Sequence, residues 1–187
     1  IESAIAVHRF GLGEASASDA TRGDARGWLA AQIGPADAQA PQGAPLHDAA
    51  QARRRQAEFV AQRRERRANI AMDGEAMRST EQNFAEHFRA LVQADLRARL
   101  GTAAATSRPF AERLALFWAN HFTVSMAKGN ARGIVGAFER EAIRPHIGGS
   151  FESLLKSAVH HPGMLRYLDN DNSAGPDSAF VRRRARR

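Results

Sequence analysis

Several groups of side chains in this 187-residue sequence have the types and spacing to do chemistry. His121 carries an imidazole, which can bind a metal or pass a proton near neutral pH. Glu139, Arg140, Glu141 and Arg144 form a dense charge group in which Arg140 and Arg144 stand i,i+4 on a helix and Glu141 and Arg144 stand i,i+3. Either arginine can grip a core carboxylate or an anionic ligand through two parallel hydrogen bonds, which lysine imitates poorly. His160, His161, Tyr167, Asp169 and Asn170 surround Pro162 and a short turn, where a hydrogen-bonded cluster can hold a ligand. Asp169, Asp171, Ser173 and Asp177 take the first, third, fifth and ninth places of a calcium loop, but glycine falls at the seventh and Phe180 replaces the bidentate glutamate of the twelfth. Calcium is not expected there.

Each group also has a bland reading. His121 continues the face made by Leu114 and Phe117, and a histidine ending an apolar stripe is more often a hydrogen-bonded structural residue than a ligand. Charge groups such as Glu139 to Arg144 are mostly solvated helix faces. The common enzyme signatures are missing: there is no His-Glu-x-x-His pair, no Gly-x-Ser-x-Gly elbow and no phosphate loop ending in Lys-Ser or Lys-Thr. With no cysteine, disulfides, thiolate zinc sites and cysteine nucleophiles are excluded. No catalytic set, metal or cofactor is assigned.

The elements that must position these groups read as helices. A short helix from Ser3 to Phe10 stops at Gly11-Leu-Gly13. Asp24 caps the next, with Trp28, Leu29 and Ile33 as its buried stripe and Gly34-Pro35 as its end. Residues 34–45, with three Pro and two Gly, read as a linker or surface loop. From Leu46 to about Ala71 composition favours helix, yet between Gln51 and Ala68 only Phe59 and Val60 are large and apolar, so an arm facing solvent or a partner is expected. Phe84, Phe88, Leu91, Val92, Leu96 and Leu100 give the spacings of a packed helix that Gly101 should end.

Thr106 or Ser107 can cap a helix with Pro109 and Glu112 in its first turn, and its stripe of Phe110, Leu114, Phe117 and His121 marks it as the most buried one. A helix from about Gly133 must finish near Arg144, before Pro145. Ser150 caps another, running to His160, and Met164, Leu165 and Leu168 make a last turn. No strand alternation or repeat is visible, so the fold class is all-α, an irregular multi-helix bundle. Its expected core is Phe84, Phe88, Leu91, Phe110, Leu114, Phe117, Trp118, Phe138, Leu154 and Leu155. The domain division is 1–33 as a helical anchor, 34–45 as linker or loop, and 46–187 as a helical domain with an Arg-rich arm.

The net charge of +7 invites a nucleic-acid partner, but it is local. Arg53 to Arg67 holds seven Arg against two Glu, and Arg182 to Arg187 holds five Arg. Without these runs 15 of the 27 basic residues remain against 18 of the 20 acidic ones. No aromatic interleaving or nucleic-acid motif accompanies the runs, so a nucleic-acid partner is not expected. No stretch approaches the roughly 20 apolar residues of a membrane span.

Three ordered motifs make the text specific: Arg113-Leu-Ala-Leu-Phe-Trp-Ala-Asn-His-Phe-Thr-Val-Ser125, Gly136-Ala-Phe-Glu-Arg-Glu-Ala-Ile-Arg-Pro-His146, and His161-Pro-Gly-Met-Leu-Arg-Tyr-Leu-Asp-Asn170. With the opening His8-Arg-Phe-Gly-Leu-Gly13, they resemble the bacterial domain of unknown function 1800 family. Gly163 stands where that family more often has Ala, and Asp177 where it more often has Asn. Family members usually run on from an Arg-rich stretch like Arg182 to Arg187 into a further helical portion. The resemblance therefore implies that the chain is the truncated N-terminal part of a larger helical protein, with any site shared between the halves incomplete. It also implies a periplasmic or secreted setting and a protein partner, for which a sulfatase-like companion is the candidate.

Two functions of different class follow. One is an exported binding or assembly module acting with a partner protein. The other is a metal-dependent or hydrolytic enzyme, whose site joins His121, His161, Asp169 and Asn170 to groups from the missing C-terminal portion. Whether the chain is an enzyme is left open by the sequence.

Overall fold

A computed structural model describes residues 1–69, 74–129 and 131–185; the side chains of 63, 66–69, 74–81, 83–85, 87, 180, 184 and 185 fall outside that description, and with them Phe84 of the expected core. The helices are α1 (Glu2–Phe10), α2 (Ala17–Thr21), α3 (Ala25–Ala30), α4 (Ala49–Asn69), α5 (Gly74–Ala105), α6 (Pro109–His121), α7 (Val135–Phe138), α8 (Phe151–His160), α9 (Pro162–Tyr167) and α10 (Ala179–Ala185). Among the described residues there is no strand, and the protein is all-α. No described helix is long and apolar enough to cross a membrane.

Local chemistry sets most helix starts. Asp24 accepts the Gly27 N–H at 2.8 Å at the start of α3, and Ser150 accepts the Ser153 N–H at 3.2 Å at the start of α8. The start of α6 differs from the expected local cap. Arg108 occupies the cap position, Thr106 Oγ1 accepts its N–H, and the Phe110 N–H is taken instead by the buried side chain of Gln32, 2.7 Å away. A tertiary acceptor thus ties α3 to α6. Gly101 does not end α5, which runs on to Ala105. The glycine serves the packing, since a Cβ there would meet Gln42 at 3.0 Å where residues 34–45 cross the helix.

The core departs from the expected one in a consistent direction. Its buried members are largely alanines, Ala49, Ala52, Ala111, Ala115, Ala131, Ala137, Ala142 and Ala158, joined by Ile134, Phe138, Ile143, Ile147, Leu154 and Met164. Phe88 is buried on α5, while Leu91, Phe110, Leu114 and Trp118 are half-buried. Phe117 and Leu155 are exposed at 56% and 36%, so they are not core residues, and Leu96, Leu100 and Ile33 are exposed too. On α6 the fully buried residues are Ala111, Glu112 and Ala115, while Phe110 and Leu114 are half-buried and Phe117 and His121 are exposed. Small side chains let helix axes approach closely and give a dense interface that large ones would hold apart.

The center of the fold is one continuous helical rod from Arg132 to His146. It opens with a 3₁₀ turn, Arg132–Ile134, passes through α7, widens to a π-helical turn, Glu139–Ile143, and closes with a second 3₁₀ turn, Arg144–His146. Pro145 ends the α- and π-helical part of the rod at Ile143, close to where sequence expects. It sits in the closing 3₁₀ turn, where the wider turn before it has already changed the hydrogen-bond pattern. Residues 34–45 run without helix but are held firmly against this rod: the Ala36 N–H donates to the Arg144 carbonyl at 2.9 Å. At the far end α4 buries Ala49 and Ala52 and exposes Arg53, Arg54 and Arg55.

Candidate functional site

The π turn organises a buried charge network. In an α-helix residues five apart do not share a face; a turn closed by i→i+5 bonds brings them together. The Arg144 N–H reaches the Glu139 carbonyl, and on the same face Arg144 Nη1 donates to Glu139 Oε1 at 3.2 Å. Beyond that one internal pair, the four charged residues of the group reach different partners, and both arginines grip carboxylates of other helices, Arg144 that of Glu112 and Arg140 that of Asp95.

Arg144, 2% exposed, donates Nη1 to Glu112 Oε1 at 2.9 Å, Nη2 to Glu112 Oε2, and Nε to the Asp37 carbonyl at 2.8 Å. Glu139 Oε1 also accepts from Gln39 Nε2 at 2.7 Å, and Glu139 Oε2 faces Arg99 Nε at 3.2 Å. Arg140 donates to Asp95 Oδ1 and to the His47 carbonyl, both at 2.6 Å. Glu141 Oε1 accepts the Ala49 N–H at 2.8 Å, which caps α4, and Glu141 Oε2 meets His161 Nε2 at 3.0 Å.

Burial pushes the Glu139 carboxyl above the usual range, with Arg99 and Arg144 pulling it back part of the way. Asp95 is raised for the same reason, against the pull of Arg140. For Arg144 burial favors the neutral form, but the hydrogen bonds and charge of Glu112 outweigh it and the guanidinium is held more firmly protonated. His161 is lowered by burial, which exceeds the opposing effect of Glu141. The tautomer of His161 follows from its partners. Its Nδ1 accepts the Gly163 N–H at 3.0 Å, capping α9, so Nε2 carries the proton and donates to Glu141. Both ring nitrogens are thus engaged within the fold.

The residues singled out in the sequence fall in three places. Arg140, Arg144 and His161 enter this one network. Tyr167 packs half-buried against the core, Asp169 pairs with Lys128, and Asn170 accepts from Ser173 Oγ at 3.3 Å on the surface. His121 lies in neither group: it is exposed, with its ring 6.1 Å from that of Phe117 and 5.4 Å from that of Trp118. Among the described residues no group of three or more His, Asp or Glu is placed to hold a metal, so His121, His161 and Asp169 form no such group. Glu112, Gln39, Asp95 and Arg99 were not singled out as site residues. Glu112 carried a signal, since it sits in register with the alanines of α6.

Two surface features remain. One is an aromatic face where α6 meets α8: Phe117, Trp118, His121, Phe122 and Phe151 form a chain of ring contacts from 5.0 to 6.5 Å between centroids. Phe151 is 57% exposed, and Leu155 and Val159 continue its side of α8 at i,i+4 spacing. The other is an open groove of about 640 Å³ along the opposite side of α8, lined by His146, Ser150, Ser153, Lys156, Ser157 and His160 among others, in which Ser153 Oγ lies 3.1 Å from His146 Nδ1.

No curated protein and no solved structure matches the chain. The model of one family, described as protein of unknown function (DUF1800), matches residues 5–179, and the chain belongs to that family.

Proposed function

We propose that this chain is a non-catalytic module of an exported assembly that docks a partner protein on the aromatic face of α6 and α8. The exposure of Phe117 and Phe151 on top of the anchored Trp118 and Phe122 carries this reading. A monomer gains nothing by leaving such rings in water, and contiguous exposed apolar surface marks interaction sites. The make-up of the face favors a protein over a sugar or a nucleic acid. Its center holds the rings of Phe117, Trp118, Phe122 and Phe151, and beside it stand Asn120 and the Glu152 to Lys156 ion pair, which is the aromatic core and polar rim of protein interfaces. The charged interior meanwhile is consumed in holding the rod, with its carboxylates and guanidiniums answering one another. A periplasmic or secreted setting and a sulfatase-like companion, implied by the sequence resemblance, give this face its candidate partner.

The test is titration of the chain with that companion protein, followed by Phe117→Ser and Phe151→Ser. Binding that weakens by about tenfold or more per substitution, as for interface anchors, supports the reading. Binding unchanged in both variants overturns it. Self-association that depends on the two rings would reassign the face to a second copy of the chain.

A hydrolytic reading is favored by one observation, the Ser153 to His146 contact in the groove. Against it, among the described residues no carboxylate holds the other nitrogen of His146, and Ser153 lies exposed at the surface. Covalent labeling of Ser153 by a fluorophosphonate probe would bring this reading forward.

A further inference from the structure

A cavity between α5 and the rod is lined by two arginines whose terminal nitrogens reach no protein acceptor among the described residues. Its walls are apolar, with Val92, Leu96, Met126 and Val135, and its polar lining is Gln39, Asp95, Glu139, Arg99 and Arg132. Taking these groups in turn shows which are still available. Asp95 is held by Arg140 through Oδ1 alone, and Glu139 by Gln39, Arg144 and Arg99. Gln39 gives its amide to Glu139 and lies 3.5 Å from Arg140 through its carbonyl. Arg99 uses Nε on Glu139, and Arg132 uses Nε on the Met126 carbonyl. Among the described residues, the terminal nitrogens of Arg99 and Arg132 meet no acceptor.

Two guanidinium forks at the edge of an apolar hollow call for a ligand with an anionic head and a hydrocarbon body, because each fork matches the two oxygens of a carboxylate. Size narrows the class. The hollow encloses about 90 Å³, whereas sites for nucleotides and other drug-sized ligands run to roughly 300–1,000 Å³. Leu96 and Met126, 51% and 48% exposed, form an apolar lip over which a short chain can enter. We infer that this cavity is a binding site for a short aliphatic monocarboxylate, with the carboxylate held by Arg99 and Arg132 and the chain laid against Val92, Leu96 and Val135.

This assignment does not depend on the aromatic face. Isothermal titration of the whole chain with pentanoate, and with pentanamide as the neutral match, tests it. Saturable binding of pentanoate, at least about tenfold tighter than pentanamide, is expected from a charge-assisted pair of hydrogen bonds. Arg132→Gln should weaken pentanoate by about tenfold while leaving the thermal midpoint unchanged, since Arg132 is exposed and holds one loop carbonyl. Leu96→Glu, on the exposed lip, should abolish binding. Absence of saturable binding in the folded protein overturns the assignment, as does equal binding of the amide or indifference to both substitutions.

Discussion

Arg144 grips Glu112 with both terminal nitrogens, at side-chain exposures of 2% and 1%, and so joins the end of the rod to the first turn of α6. Each ion offsets much of the other's desolvation penalty only while both are in place. Arg144 also holds Asp37 and Glu139, so one guanidinium fixes α6, residues 34–45 and the π turn to one another.

Removing one partner should therefore cost more than removing both. Glu112→Leu is expected to destabilise the fold by about 3–5 kcal/mol by taking from a buried cation its bidentate partner and leaving it the single carboxylate contact to Glu139, and adding Arg144→Met should restore part of that loss. Urea unfolding of the three variants checks the sign; a double variant less stable than Glu112→Leu would contradict it.

How much of this was legible differs between the helices and the site. Helix existence followed from Asp24, Ser150 and Pro109, because capping is local chemistry that sequence carries openly. The faces were misjudged where large apolar residues were taken to point inward. On α6 and α8, Phe117 and Leu155 point out, and Ala111, Ala115 and Ala158 point in. Alanine adds little to an apolar pattern, so a core built on close helix approach leaves a faint signal. The network was hidden for another reason. Glu139 meets Arg144 through a π turn, and ordinary helical spacing of three or four cannot suggest a pair five apart. Gln39 and Glu139 are joined across 100 residues, which no local pattern records.

The attachment of residues 34–45 makes a prediction at Gly148. Its φ of +75° is in the left-handed region, and a Cβ there would come within 2.6 Å of the Gly34 nitrogen. Gly148→Ala should cost about 1–3 kcal/mol from strain alone, with the backbone clash adding to it. Faster hydrogen exchange at Ala36, whose N–H donates to Arg144, should accompany the loss.

His161 supplies a pH dependence whose sign is fixed by its lowered pKa. A group more readily protonated in the unfolded chain contributes stability above its unfolded value, near 6.5, and loses it as pH falls toward the folded value. Acidification below about 6.5 should thus weaken the fold through this residue. His161→Asn can still accept from Gly163 but cannot titrate, so its urea midpoint should fall less steeply than wild type across that window. Parallel curves for the two proteins would remove His161 as the cause.

The inversion of size and burial can be tested directly on α6. Ala115 is fully buried against the core, and Phe117, two residues on, is 56% exposed. Enlarging Ala115 to Leu must push helices apart or force side chains off their rotamers, at a cost of about 1–3 kcal/mol. Trimming Phe117 to Ser removes contacts with Trp118 and His121 at the surface and should cost about 1 kcal/mol or less. Removing the large ring is therefore expected to be the milder change, which is the reverse of the order for an ordinary phenylalanine core. If the aromatic face serves to dock a partner, Phe117→Ser should in addition weaken capture of that partner by about tenfold or more while leaving the unfolding midpoint close to wild type. Ala115→Leu should lower the midpoint, and its binding loss should track its unfolded fraction. A midpoint drop for Phe117→Ser larger than that for Ala115→Leu would place the ring in the core and remove the face from consideration as a docking surface.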